Sequence, residues 1–73
     1  MIWPNPFSNL LNVGMYNQQI DCITIYDMRG RLIHETNGLN TLYTIDTSQW
    51  ERGVYVVCIS TERGQFEMKI IKR

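Results

Sequence analysis

The stretch Ile20–Glu35, IDCITIYDMRGRLIHE, decides the fold, because it reads as two strands joined by a tight turn. In Asp27-Met28-Arg29-Gly30, Asp stands at the first position of a type I turn. Gly follows where the chain must enter φ > 0, as a three-residue hairpin loop with a G1 bulge requires. Asp27 then faces Arg31 across the ladder. Counting back from that pair predicts Ile25 opposite Ile33 and Ile23 opposite Glu35 on one face, with Tyr26 opposite Leu32 and Thr24 opposite His34 on the other. The Ile23/Ile25/Ile33 face is the one assigned to the core, which leaves His34 in solvent.

A second hairpin closes the chain. Val54–Ser60 (VYVVCIS) and Gln65–Ile71 (QFEMKII) form its two strands, and a two-residue turn at Arg63-Gly64 sets Ile59 opposite Met68 and Val57 opposite Ile70. Slipping by one residue would place Glu67 and Lys69 on the apolar face. Between the hairpins, Thr36–Asn40 (TNGLN) carries an Asn-Gly pair and is expected to turn. Leu42–Asp46 reads as a short edge strand. Thr47-Ser48-Gln49-Trp50 suits a single 3₁₀ turn capped by Thr or Ser. Trp50 is placed as a plug at one end of the core, the alternative being a platform for a sugar ring.

At the amino end, Trp3-Pro4-Asn5-Pro6 cannot sit in a central strand or a helix interior, since each proline lacks a donor and restricts its predecessor. Residues 1–8 are therefore read as a linker that docks onto a domain spanning 9–73. Phe7 is its apolar anchor, Leu10–Val13 a short edge strand ended by Gly14, and Met15–Gln19 a polar loop. Every strong segment is a strand, with turn signals between and no competing helical period. The pattern predicts a single compact, immunoglobulin-like antiparallel β-sandwich of six to seven strands. Its expected core is Ile23, Ile25, Ile33, Ile45, Tyr55, Val57, Ile59, Phe66, Met68 and Ile70.

Seventy-three residues with 44% apolar and 19% charged side chains describe a globular chain too short to enclose a deep active site. A formal net charge of zero removes the usual reason to expect nucleic acid or an anionic membrane as partner. No stretch is long and apolar enough to be inserted across a bilayer. MIWPNPFSN lacks the basic start and apolar run of a signal peptide, which predicts either an intracellular chain or a piece of a larger exported one.

Chemistry is sparse. His34 stands alone, and Asp21, Asp27 and Asp46 lie at strand ends, where they cap turns rather than build a calcium loop. Ser8, Ser48 and Ser60 lack an elbow motif and a base, and no phosphate-cradling loop is present, so no catalytic residue, cofactor or metal is assigned. Cys22 and Cys58 fall on the parity opposite to the core, with Cys58 beside Lys69. Two free, half-buried thiols are favoured over a disulfide, and CxxC metal spacing is absent.

Taken in order, the motifs Pro4-Asn5-Pro6-Phe7, Ile25-Tyr26-Asp27 leading to Gly30-Arg31, Ile45-Asp46 with Gly53-Val54-Tyr55, and Lys69-Ile70-Ile71-Lys72-Arg73 resemble the type IX secretion system C-terminal sorting domain of Bacteroidota, in its type A form. The resemblance covers nearly the whole chain. Trp50 departs from it, standing where the family usually has leucine. The resemblance implies a detachable address label and no enzyme. An upstream cargo in the same precursor enters the periplasm by its own signal peptide, and the translocon reads the folded domain. Many members of that family are then cut upstream of the domain by a sortase-type protease, which would leave the cargo secreted or held at the cell surface on an anionic lipopolysaccharide. Pro4, Asn5, Pro6 and Phe7 would set the angle between linker and sandwich. Gly30, Arg31, Gly53 and Tyr55 belong to the motifs, the glycines supplying backbone geometry. Lys69, Ile70, Ile71, Lys72 and Arg73 would present a basic end to the export machinery, or equally an edge strand protected by lysine. Pairing of two domains through a sheet edge stays open. The competing class is an accessory immunoglobulin-like module that binds carbohydrate or spaces an extracellular enzyme, for which only Trp3, Tyr16 and Tyr43 could serve as exposed aromatics.

Overall fold

The computed structural model describes residues 1–73 and contains strands alone. They are β1 (Ile2–Trp3), β2 (Leu10–Gly14), β3 (Ile20–Asp27), β4 (Leu32–Asn40), β5 (Leu42–Asp46), β6 (Gly53–Thr61) and β7 (Gly64–Lys72). Two antiparallel sheets face each other, one of three strands in the order β1-β2-β5 and one of four in the order β4-β3-β6-β7. This is the expected sandwich. Its core takes Ile23 and Ile25 from β3, Tyr55, Val57 and Ile59 from β6, Ile70 from β7 and Ile45 from β5. Leu11, Val13, Ile2 and Phe7 complete it from segments to which sequence patterning had assigned no buried face, Phe7 excepted, and Ile20 joins from β3 because the ladder irregularity between it and Cys22 turns it inward.

The β3–β4 turn closes as expected. The Asp27 amide donates to the Arg31 carbonyl and the Gly30 amide to the Asp27 carbonyl, both at 3.0 Å, and Gly30 has φ 84°. Beyond that turn the register differs from the prediction. Tyr26 does face Leu32, but Ile25 faces His34 and Thr24 faces Glu35, because Ile33 is an extra residue bulged out of β4. Ile33 is consequently only half-buried at the margin of the core, and His34 moves to the inward side.

The Asn37-Gly38 pair does not turn the chain. It lies within β4, where Gly38 (φ 131°) sits beside a second irregularity of the ladder, and the chain crosses to the other sheet through Thr41. A left-handed glycine serves a bulge as well as a hairpin, so its signal was right and its context was not.

Two other placements change. Leu10–Val13 is not an edge strand, since β2 is flanked by β1 and β5 and its ladder runs on through Gly14. Residues 47–50 form a simple turn instead of a 3₁₀ helix: the Trp50 amide donates to the Thr47 carbonyl at 3.0 Å, and Asp46 caps it by accepting from the Ser48 amide.

The last hairpin keeps the predicted parity and shifts by two residues. Its loop is Glu62-Arg63, so that Ile59 faces Phe66, Val57 faces Met68 and Tyr55 faces Ile70. Cys58 therefore lies beside Glu67 instead of Lys69. Phe66 and Met68 point inward as expected but remain 46% exposed. The opposing sheet has only three strands and ends before it covers that half of β7.

Candidate interaction end of the sandwich

The sequence motifs come from four separate stretches, and the fold brings them to one end of the molecule. That end is where β3 turns into β4, where β6 begins and where β7 finishes: Asp27 pairs with Tyr55, and Gly53 with Lys72. The amino-terminal segment joins it. After β1 the chain crosses from one sheet to the other through Pro4-Asn5-Pro6, in which both X-Pro peptide bonds are cis. It then lies parallel to the end of β7, with Phe7 bridged to Lys72. The Phe7 amide donates to the Ile71 carbonyl and the Arg73 amide to the Phe7 carbonyl, both at 2.9 Å, while Asn5 Oδ1 accepts from the Ile71 amide at 3.1 Å. Thus Asn5 and Phe7 seal the terminal edge of β7 across 66 positions of sequence.

Phe7 is fully buried. Its ring meets Trp50 edge-on at 6.0 Å between centroids and Tyr55 at 6.2 Å, while Trp50 and Tyr55 lie 5.2 Å apart. His34, on the inward side of β4, packs 6.2 Å from Trp50 and shares a hydrogen bond of 2.6 Å with Thr36 Oγ1. Trp50 therefore plugs the core through a T-shaped and tilted aromatic cluster, a geometry that adds to the burial itself. Tyr55 ties the cluster to the 47–53 loop, since its hydroxyl donates to the Glu51 carbonyl at 2.5 Å. Burial raises the phenol pKa, and the nearby carboxylates of Glu51 and Asp27 add to this, so the hydroxyl stays a donor at neutral pH. Thr47, also fully buried, donates from Oγ1 to the Ser8 carbonyl at 2.9 Å and fastens the loop to the amino-terminal segment.

Around the aromatic plug lies a charged rim. Arg31 Nε meets Asp27 Oδ2 at 2.7 Å, and Asp27 Oδ1 accepts from the Arg29 and Arg31 amides. Desolvation is the largest single influence on Asp27 and raises its pKa, but the hydrogen bonds from Arg31 and Arg29 together with the Arg31 charge outweigh it and hold the carboxyl below its ordinary value. The contribution to stability is small at so exposed a site; the gain is a fixed loop. Arg29, Arg31, Arg52, Lys72 and Arg73 all stand at this end, out of seven lysines and arginines in the chain. The acidic groups beside them are Asp27, Asp46 and Glu51, so a chain of zero net charge carries a positive end. Lys72 contributes less than its type suggests: it is on the inward parity, 7% exposed, and its ammonium donates to the Arg73 carbonyl. A shallow cavity of about 360 Å³ opens on the rim between the β3–β4 turn and the 47–53 loop, lined by Arg29, Arg31, Arg52, Trp50 and Tyr55 among others.

Of the residues singled out from sequence, Asn5 and Phe7 meet Ile71, Lys72 and Arg73, and Tyr55 touches Phe7. Gly30 and Gly53, with φ of 84° and 145°, shape the two loops of the rim. Lys69 stays outside this cluster, midway along β7 and facing away from the core. Trp50, Thr47 and Asn5 carry the end together more than their sequence context indicated. Only the Asp-Thr-Ser string after a strand hinted at the loop. The aromatics weighed for a carbohydrate platform do not share a face: Trp3 pairs beside Asn12 on the outer side of its sheet, Tyr43 beside inward Val13 with its hydroxyl on the Gly38 carbonyl, and Tyr16 projects from a loop. Cys22 and Cys58 are free, half-buried and diagonal to one another on the outer face of adjacent strands.

Compared with known families, residues 1–73 match the family model described as "Secretion system C-terminal sorting domain". No curated protein matches the chain.

Proposed function

Since the chain belongs to the family of type IX secretion C-terminal sorting domains over its whole length, we propose that it directs an upstream cargo across the outer membrane by way of the periplasm and that a sortase-type protease removes it on export. A sorting domain of this family implies a cargo attached upstream, the type IX machinery, and export to the cell surface or beyond. Catalysis is not the family's role. In our reading the translocon recognises the positive end of the sandwich, where the loops shaped by Gly30 and Gly53 flank Arg29, Arg52 and Arg73.

The observation that carries this reading is the union of the two chain ends. Asn5 and Phe7 are laced to Ile71 and Arg73 by three hydrogen bonds. The segment that follows β1 and the terminal strand thus become one rigid surface, and β1, held on the sandwich by the Ile2–Val13 and Trp3–Asn12 pairing, passes that fixed orientation on to a cargo attached upstream. Rigid presentation lowers the ordering cost of recognition.

The test is export of a reporter. The domain, fused behind a signal peptide and an inert reporter, should carry it to the medium or cell surface of a bacterium with the type IX system. Changing Arg29, Arg52 and Arg73 together to Gln removes exposed charge and leaves the aromatic plug alone. That variant should hold the reporter in the periplasm with its melting temperature unchanged. Normal export of the variant would remove the role assigned to the basic rim. Failure of the intact domain, in a host exporting another family member in parallel, would overturn the sorting reading.

A further inference from the structure

The amino-terminal half of β7 is an open edge, and we propose that it accepts an extended strand of another protein, paired antiparallel to Gln65–Lys69. That strand would place apolar side chains opposite Phe66 and Met68, an acidic one opposite Lys69 and a basic one opposite Glu67.

The backbone carries the first part of the argument. Along β7 the groups of Ile71 point away from β6, as their bonds to Asn5 and Phe7 show. By the alternation of an antiparallel ladder, the N–H and C=O groups of Gln65, Glu67 and Lys69 point the same way. Nothing within the chain pairs with them, because β6 is the only strand beside β7 and the amino-terminal segment stops at Asn5. Most edges of the sandwich are blunted: β4 is bulged twice, β5 is five residues long and β1 two. The nine-residue β7 is guarded only at its far end.

The side chains carry the second part. Beside this open edge lies an apolar groove of about 320 Å³, lined by Met1, Ile2, Met15, Phe66 and Met68 with the core residues behind them. Three methionines in the wall adapt to differently shaped apolar side chains. An added strand would put alternate residues into this groove and hydrogen-bond through its backbone, the mode in which main chain supplies affinity and pockets supply selectivity. On the outer side its neighbours would be Glu67 and Lys69, which asks for the opposite charge at each.

A second copy of this chain fits less well. Two β7 strands that match Lys69 with Glu67 of the other copy also set Gln65 against Ile71, where Asn5 and Phe7 already hold the edge. Centring the pair on Glu67 clears that obstacle and opposes Glu67 to itself. Centring it on Phe66 opposes Lys69 to Arg63.

The experiment follows amide shifts of the isotope-labelled 73-residue chain on titration with two synthetic seven-residue peptides of alternating valines. In one, glutamate lies opposite Lys69 and lysine opposite Glu67; in the other the two are exchanged. Shifts should concentrate at Gln65, Glu67 and Lys69 and in the methyl groups of Met15 and Met68. The matched peptide should bind about fivefold more tightly. The double variant E67K/K69E, of unchanged net charge, should invert that preference. Equal affinity for both peptides, shifts confined to other strands, or no shift at about 1 mM peptide would overturn the proposal. So would concentration-dependent shifts of β7 without peptide, which would make a second copy the occupant. No secretion apparatus is involved, so failure here leaves the export experiment standing.

Discussion

Replacing Phe7 by alanine tests whether the amino-terminal segment belongs to the cooperative fold or merely leans on it. Phe7 is fully buried, and its ring contacts both Trp50 and Tyr55. Truncating a buried Phe to Ala costs about 3–5 kcal/mol from lost transfer free energy and the cavity that remains. Each aromatic pair adds about 0.5–1.5 kcal/mol, so the upper part of that range applies. A domain of 73 residues has a total stability of about 4–11 kcal/mol. Phe7→Ala should therefore consume much of it, although residue 7 lies outside the segment that strand patterning alone would include. Urea unfolding followed by tryptophan fluorescence measures the loss, because Trp50 reports on the pocket that Phe7 fills. Phe7→Leu, which keeps most of the volume, should cost about 1–2 kcal/mol and leave the urea slope unchanged. A loss below about 1 kcal/mol for Phe7→Ala would refute the reasoning. It would mean that the segment detaches without disturbing the sandwich and that the joined chain ends are not one rigid surface.

Other outcomes follow from single contacts. Gly30 has φ 84° and open space where a Cβ would stand, so its cost is purely one of backbone. Gly30→Ala should lose about 1–2 kcal/mol and Gly30→Val more, seen as a fall in melting temperature of about 4–8 °C per kcal/mol. Thr47→Val should cost about 0.5–1.5 kcal/mol, the net worth of the part-buried hydrogen bond to the Ser8 carbonyl; a neutral result would show that water replaces the hydroxyl. Asp46 and Asp27 both hold their carboxyls below the ordinary value, Asp46 through the Ser48 amide and hydroxyl and Asp27 through the hydrogen bonds described above. Their folded-state values are the lower ones, so the stability they add is present above the unfolded carboxylate range and disappears as pH falls through the folded values. Melting temperatures of D27N and D46N should accordingly fall less steeply than the parent's on acidification. Desolvation raises the pKa of both cysteines, assisted at Cys58 by Glu67 and at Cys22 by Glu35. Their diagonal placement holds the Cα atoms about 7–8 Å apart, beyond ready bridging, so a thiol titration after mild oxidation should still find two free, slowly reacting groups.

What the amino-acid sequence determined by itself is parity. Ile23 and Ile25 alternating with Thr24 in β3, and Phe66, Met68 and Ile70 alternating with Glu67 and Lys69 in β7, leave one face for the core, and the continuous apolar run of β6 takes its parity from the ladder with β7. The Asp27–Arg31 turn was equally legible, because Asp at its start and Gly30 at its left-handed position are local demands. Register was not local. Sliding β7 by two residues keeps every side chain on its face, so alternation alone cannot choose between a loop at Glu62-Arg63 and one at Arg63-Gly64. The bulge at Ile33 is likewise invisible in a strand that reads well without it. Exposure of Phe66 and Met68 was decided only in tertiary structure, by a three-stranded sheet too narrow to cover the edge of a four-stranded one. The interaction end was legible as a set of motifs and not as a place. Asn5 and Phe7 meet Ile71 and Arg73 only because the prolines carry the chain from one sheet edge to the other, and a contact across nearly the whole sequence leaves no periodic trace in it.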